Sequence, residues 1–192
     1  ADTLKVTGVM ERSDPDDNLV IKAVKLMRQS FDFPFIRIHL HKSIPVGAGL
    51  GGGSSDAAGM LKALNRYFSF GLNAEELRSF AGRLGSDAPF FIDGTPSFAE
   101  GVGNILSDFP LDLSAWHITL LYPDVNVSTA GAYAGCRPDP EGESLRQLLS
   151  LPLTEWRGRV VNDFEPGIIS RYPRIGELKE ALYEAGAVYA SM

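Results

Sequence analysis

The sequence predicts an α+β fold, with strands in mixed sheets and helices packed on them. Two observations carry the prediction. Short stretches that alternate apolar and polar residues, as half-buried strands do, are interleaved with stretches whose apolar residues recur at helical spacing. Between one such strand and one such helix stand five glycines within seven positions, Gly47, Gly49, Gly51, Gly52 and Gly53. With 44% hydrophobic residues, the 192-residue chain can bury a sizeable core as one domain or two small ones.

Each element follows from local chemistry. Residues 4–9 read as a strand. Asp14-Pro15-Asp16-Asp17-Asn18 is turn and cap chemistry. A helix over 19–29 follows, with Leu19, Val20, Ala23, Val24, Leu26 and Met27 at helical spacing. Ile36, Ile38 and Leu40 alternate with Arg37, His39 and His41, so both histidines belong to the polar, solvated face of a strand. After the glycines, Ser54 or Ser55 is expected to cap a helix with Asp56 in its first turn. Ala57, Met60, Leu61, Leu64 and Phe68 form its apolar stripe. Asn73, with Glu76 three residues later, is a capping box for a helix that turns Leu77, Phe80, Ala81 and Leu84 to the core and ends at Gly85. Pro89 disfavours helix at Ala88, and 90–92 reads as a short strand. Asp87 then lies in a tight junction where, on spacing alone, it reads as an ordinary turn aspartate. Residues 99–103 form a glycine turn of the hairpin kind. Residues 116–122 read as a strongly apolar strand in which His117 packs. Residues 123–135 read as irregular. Helices are expected over 143–150, around 154–161 and over 174–185, with Leu178, Leu182 and Tyr183 in the core, and 187–192 is strand-like.

The glycine cluster carries the chemistry. Glycine reaches positive φ and removes side chains that would block a close approach. The helix behind it offers unpaired N–H groups and the positive end of its dipole. Together they suit the phosphates of a nucleotide. A Walker A loop would need Gly-Lys-Ser/Thr where Gly53-Ser54-Ser55 stands. A dinucleotide fingerprint would need an acidic residue about 20 positions further on, and none stands there. The bland alternative, a flexible linker, sits poorly between a strand and a helix. The net charge of −6, with no basic stripe, argues against general nucleic-acid binding. It leaves an anionic small molecule open, because a local loop and helix end outweigh the global charge. Cys136 is the sole cysteine, so no internal disulfide forms. It reads as a partly buried thiol in a reducing cytoplasm. No apolar run approaches the roughly 18 residues of a membrane span, and no signal peptide is visible. The start at Ala1 and the strand-like end are expected to be internal to a longer protein.

The stretch Ile44-Pro45-Val46-Gly47-Ala48-Gly49-Leu50-Gly51-Gly52-Gly53-Ser54-Ser55-Asp56-Ala57-Ala58 resembles the central motif of the GHMP kinase superfamily. The extra glycine and the Asp-Ala-Ala that follows are most similar to its isoprenoid-precursor subgroup. Asp17-Asn18-Leu19-Val20, Lys42, Leu84-Gly85-Ser86-Asp87-Ala88-Pro89-Phe90-Phe91, Ala99-Glu100-Gly101-Val102-Gly103 and Val161-Asn162-Asp163-Phe164-Glu165 are similar to further family segments in the same order. The resemblance covers nearly the whole chain. It implies a two-lobed fold: a ribosomal protein S5 domain 2-like N-terminal lobe over 1–110 and a ferredoxin-like C-terminal lobe over 111–192, with the phosphate loop at their interface. The family's amino-terminal lysine strand and its last glycine motif have no counterpart here. Both lobes are therefore expected to be incomplete, and the chain alone inactive.

The resemblance also implies an activity, ATP-dependent phosphorylation of the 2-hydroxyl of 4-diphosphocytidyl-2-C-methyl-D-erythritol in the non-mevalonate route to isoprenoids. ATP and Mg²⁺ come with it, together with a small-molecule substrate, no nucleic acid or membrane partner, and a monomeric or homodimeric state. Asp87 would accept or orient the proton of the attacking hydroxyl and touch substrate. Pro45, Gly47, Gly49, Leu50, Gly51, Gly52, Gly53, Ser54 and Ser55 would surround the ATP phosphates, with Asn18 and Lys42 toward the adenosine end. Ser54 would reach the metal and Thr129 the substrate. Three alternatives stand beside this: another kinase of the superfamily with a homoserine or mevalonate-type substrate, a non-catalytic ATP-binding domain, and an ATP-dependent decarboxylase.

Overall fold

The computed structural model describes residues 1–9, 15–45, 47–123, 125, 127–137, 139 and 141–192, without the side chains of Pro15 and Thr129. The turn at Asp14, Val46 of the glycine motif, and Asp124 and Asn126 of the 123–135 stretch lie outside the described residues. The chain forms two compact units, Ala1–Pro110 and Leu111–Met192.

In the first unit β1 (Thr3–Gly8) and β2 (Arg37–Lys42) run parallel, from Thr3 opposite Arg37 to Gly8 opposite Lys42. Parallel strands need a crossover, and α1 (Leu19–Met27) supplies it. Asn18 begins α1 by accepting a 2.9 Å hydrogen bond from the N–H of Val20. Alternation along β2 leaves Arg37, His39 and His41 exposed and half-buries Ile38, Leu40 and Lys42. The hydroxyl of Thr7 lies 2.9 Å from His39 Nε2 and 3.0 Å from His41 Nδ1, so both rings share one partner on the solvated face.

Helices α2 (Gly52–Phe68) and α3 (Ala74–Gly82) close the core. Ala23, Val24 and Met27 meet Ala58, Leu61 and Leu64 of α2 and Leu77 and Ala81 of α3. Full burial of a side chain such as Met27 or Leu61 stabilises the unit by roughly 1.5–3 kcal/mol. The capping box forms: Glu76 N–H donates to Asn73 Oδ1 at 3.0 Å, and Asn73 N–H donates to Glu76 Oε2 at 2.9 Å.

Several boundaries differ from the sequence reading. Neither Ser54 nor Ser55 caps α2. Its cap is Gly51, three positions before Ser54 and in a left-handed turn at φ +65°, and this carries both serines and Asp56 into the helix. Helix α3 ends at Gly82 rather than Gly85; the N–H groups of Leu84 and Gly85 both return to the carbonyl of Ala81, which prolongs the turn. Residues 90–92 are helical, not a strand, within the single turn α4 (Phe90–Asp93). Pro89 already has helical angles, Gly94 closes the turn at φ +68°, and Lys62 Nζ donates to the carbonyls of Phe91 (2.9 Å) and Ile92 (3.2 Å). The strand preference of Phe-Phe-Ile yields because no edge pairs with it, whereas the turn satisfies its carbonyls. The hairpin of β3 (Ser97–Glu100) and β4 (Ile105–Asp108) forms around the 101–103 glycine turn.

The second unit is built on α5 (Thr129–Gly135), α6 (Leu145–Leu149), α7 (Glu165–Arg171) and α8 (Pro173–Glu184). Helix α5 replaces the irregular stretch read there, because Ser128 caps it by accepting from Gly131 N–H at 3.1 Å. The helix expected around 154–161 is only a 3₁₀ turn, Leu153–Glu155; Gly158 at φ +75° stops it. Residues 116–122 form no strand, and His117 is exposed rather than packed. Ile118 and Leu120 stand 77% and 67% exposed. Among the described residues no strand pairs with this segment, and an unpaired strand leaves its backbone groups to water. Residues 187–192 likewise form no strand. Ala190 is tied instead to the hydroxyl of Tyr183, through its carbonyl at 3.1 Å and its N–H at 3.2 Å. Leu178, Leu182 and Tyr183 are half-buried, so α8 covers the unit rather than filling its core. Cys136 is the half-buried thiol expected.

Candidate active site

The site is assembled where β2 ends and α2 begins. Lys42 is the last residue of β2, and its backbone is fixed by the bond from Val9 N–H to its carbonyl at 2.8 Å. The chain then passes through Gly47 (φ +76°) and Gly49 (φ +72°) to Gly51. In a helix the first N–H groups have no carbonyl one turn earlier. The i→i−4 bond from Ser55 to Gly51 measures 2.9 Å, which leaves the amides of Gly52, Gly53 and Ser54 as the helix's donor end. No side chain caps that end.

Lys42 reaches over the same turn. Its Nζ lies 3.9 Å from the place a Cβ on Gly52 would occupy. Its side chain is 10% exposed and donates to Asp56 Oδ2 at 2.5 Å. A cation held beside the positive end of a helix is stable only with an anion at hand, and Asp56 provides one. Lys42, Asp56, His41, Ser43, Ile44, Gly52 and Ser55 line a cleft of about 240 Å³. A larger groove of about 1050 Å³ runs along β2 and α2 between Ile36 and Phe68, lined by Ile38, His39, Met60 and Tyr67 among others.

The Asp87 turn lies against this loop through one aromatic ring. A Cβ on Gly51 would stand 2.7 Å from the Phe91 ring, so that ring occupies the space the glycine leaves. Asp87 is exposed, accepts from Ser86 Oγ at 3.3 Å, and has Oδ1 3.7 Å from where a Cβ on Gly103 would be. The two glycine turns and Asp87 are thus gathered in one region of the first unit. Asn18 is brought to the same end of α2: its neighbour Leu19 packs 3.4 Å from the Cβ position of Gly53. Its side-chain oxygen is engaged in capping α1, which leaves its amide nitrogen as the polar handle. Pro45 is half-buried, while Gly47, Gly49 and Leu50 are exposed. Ser55 lines the cleft and Ser54 is not among its lining residues. Thr129 is the first residue of α5 in the second unit, and its side chain lies outside the described residues.

Sequence reasoning passed over His41 and Ser43 as cleft residues, and read Asp56 only as a residue of the first turn of the helix. One signal was available. Lys42 continues the Ile38–Leu40 register, and a lysine in an inward-facing position requires a carboxylate partner. Among the described residues, no group of three or more His, Cys, Asp or Glu side chains is placed to hold a metal ion. No helix of the described chain is long and apolar enough to cross a membrane.

The chain is similar to known proteins along almost its whole length. The pattern of the GHMP kinases N terminal domain matches residues 18–95. The chain is 48% identical to a 4-diphosphocytidyl-2-C-methyl-D-erythritol kinase of Bacteroides thetaiotaomicron over 185 residues, 96% of this chain and 68% of the other. It is 42% identical to the kinase of the same name from Porphyromonas gingivalis, over 100% of this chain and 70% of that one. A crystal structure of 4-(cytidine 5′-diphospho)-2C-methyl-D-erythritol kinase superposes with a TM-score of 0.74 at 28% identity, covering 100% of this chain and 69% of the other. A homoserine kinase from Cytophaga hutchinsonii, at TM-score 0.61 and 18% identity over 98% of this chain and 68% of the other, shares the fold. With a glycine loop, a buried lysine and an aspartate turn gathered as described, and relatives this similar along almost its whole length, the chain belongs to the GHMP kinase family, beside the 4-diphosphocytidyl-2-C-methyl-D-erythritol kinases.

Proposed function

We propose that the chain is a small-molecule kinase that transfers the γ-phosphoryl group of ATP to the 2-hydroxyl of 4-diphosphocytidyl-2-C-methyl-D-erythritol, a step toward isoprenoid precursors. The observation that carries it is the meeting of the Lys42 ammonium and Gly52, the first residue of the uncapped donor end of α2, in one cleft. Relatives named as that kinase support the choice of substrate.

Phosphoryl transfer is mostly a matter of position and charge. The amides of Gly52, Gly53 and Ser54 take phosphate oxygens as a helix N-terminus does. The exposed, side-chain-free backbone at Gly47 and Gly49 leaves room for the nucleotide. Lys42 adds a full positive charge, and Asn18 offers its amide nitrogen toward the adenosine end. Asp87 orients the acceptor hydroxyl and takes its proton as the new O–P bond forms and the bond to ADP breaks. The oxygen donors at the start of α2, Ser54, Ser55 and Asp56, suit magnesium, which favours carboxylate, hydroxyl, water and phosphate oxygen. Bound with the nucleotide, that ion neutralises charge on the phosphates. Cys136 as the sole cysteine fits a reducing compartment, and we place the enzyme in the cytoplasm.

Two measurements test the reading. Titration calorimetry with ATP is expected to show binding that weakens at least tenfold in Lys42→Met, the effect of removing one close charge. Mass spectrometry of 4-diphosphocytidyl-2-C-methyl-D-erythritol incubated with ATP and the full-length protein is expected to show one added phosphate. Absence of nucleotide binding, or transfer to homoserine or mevalonate in preference, would overturn it.

A further inference from the structure

Asp56 has a consequence for which form of nucleotide the cleft accepts. The inference rests on the phosphate-cleft reading above. Other lysine–aspartate pairs of the first unit are solvated: Lys22–Asp17 stands 45% and 76% exposed, and Lys25–Asp16 59% and 79%. The Lys42–Asp56 pair is 10% and 26% exposed, so its charges are poorly screened. The other shielded pair, Arg28 with Asp2, is saturated: the guanidinium also donates to the carbonyls of Phe33 (2.6 Å) and Pro34 (2.9 Å), and Asp2 accepts from Ile36 N–H (2.9 Å). Lys42 is not saturated. Among the described residues its ammonium makes one hydrogen bond, to Asp56, while an ammonium has three donors. It can therefore keep Asp56 and bind a phosphate oxygen at once. Asp56 need not leave when nucleotide arrives, and its carboxylate then remains beside the phosphates.

We propose that Asp56 is a specificity-determining residue that makes the cleft select the magnesium complex of ATP over metal-free ATP. A carboxylate retained beside a polyphosphate repels it. Magnesium lowers the negative charge of the nucleotide, and the carboxylate faces it directly or through bound water. The same Asp56 thus penalises the free nucleotide and tolerates the complex. Its position on α2 serves both ends: it neutralises Lys42 in the empty cleft and discriminates between nucleotide forms in the filled one.

The test is calorimetric titration of ATP into the 192-residue chain, with magnesium and with excess chelator, for wild type, Asp56→Asn and Asp56→Ser. Circular dichroism identifies the folded variants, and either variant suffices. In wild type the magnesium complex binds more tightly. In the variants metal-free ATP gains about tenfold relative to the complex, as loss of one poorly screened charge a few ångströms away requires. Lys42→Met, which removes the opposite charge, weakens both forms and metal-free ATP the more. A ratio unchanged in the folded Asp56 variants overturns the proposal while the cleft reading stands. No binding of either form by wild type overturns the cleft reading itself, and the proposal with it.

Discussion

Two glycines of one motif are expected to respond in opposite ways to the same substitution. Gly51 caps α2 at φ +65°, and a Cβ there would stand 2.7 Å from Cζ and 2.9 Å from Cε2 of Phe91. Left-handed backbone costs an L-residue about 1–2 kcal/mol. Forcing a methyl into a filled space costs about 1–3 kcal/mol more, depending on how far the ring yields. Gly51→Ala is therefore expected to destabilise the protein by about 2–5 kcal/mol. Gly53, two positions later, is exposed and helical, and its Cβ would meet only Leu19 Cδ1 at 3.4 Å. Alanine there gains up to about 1 kcal/mol of helix propensity. Urea denaturation of the two variants and the parent separates the cases. With a slope of about 1–3 kcal/mol/M, Gly51→Ala moves the midpoint down by about 0.7 M or more, and Gly53→Ala leaves it level or raises it. Equal shifts in both variants, or a Gly51→Ala protein as stable as the parent, would refute the packing argument.

Other perturbations follow from single contacts. In the full-length protein Asp87→Asn keeps the shape of the turn and removes the proposed proton acceptor, so steady-state assays should show turnover down by about 10²–10⁴-fold with ATP affinity little changed; near-normal turnover would remove Asp87 from the mechanism. Asn73→Ala deletes the capping box of α3 and should lower unfolding free energy by about 1 kcal/mol in urea, with no change in nucleotide binding. The hydrogen bond from Arg28 holds the Asp2 carboxyl below its ordinary value of 3.8. A carboxylate with a depressed folded pKa adds stability that is full above its unfolded pKa and is lost as pH falls through the folded one. Asp2→Asn should therefore be less stable than the parent at neutral pH, with the gap closing below pH 3.8; a gap constant with pH would deny the ion pair that role.

Much of the first unit was legible because its signals are local and periodic. The alternation of Ile38 and Leu40 with His39 and His41, the stripe from Ala57 to Phe68, and the Asn73–Glu76 pair each specify their element without knowledge of a partner. The failures share one cause. Residues 90–92 and 116–122 have the composition of strands, but a strand exists only where an edge receives it. The carbonyls at 91 and 92 found Lys62, twenty-nine and thirty residues away, and no local pattern reveals that. The start of α2 was misplaced for a different reason. Serine is the better cap by propensity, yet the left-handed turn at Gly51 places the chain in the helix before Ser54 is reached. In the site, the glycine loop and Asp87 were readable as motifs, whereas the Lys42–Asp56 pair joins a strand end to a helix fourteen residues on and becomes visible only in three dimensions.

The same long-range contacts explain how two loops can hold a geometry that phosphoryl transfer demands. Catalysis by positioning fails when the reacting groups drift by about 1 Å, and exposed glycine turns are poor fixtures by themselves. Here neither turn acts alone. The Phe91 ring sits at Gly51, so the cap of α2 and the segment after Asp87 are in van der Waals contact. Lys62, one further along the same helix, binds the carbonyls of α4 from the other side, and Ala88 and Ile92 are buried in the core with Ala58 and Leu61. The uncapped amides of α2 and the aspartate turn are therefore both anchored to α2, one at its first turn and one along its flank. Their separation is set by the packing of a 17-residue helix, a rigid element, and in the proposed function the glycines supply only the open backbone that admits the nucleotide.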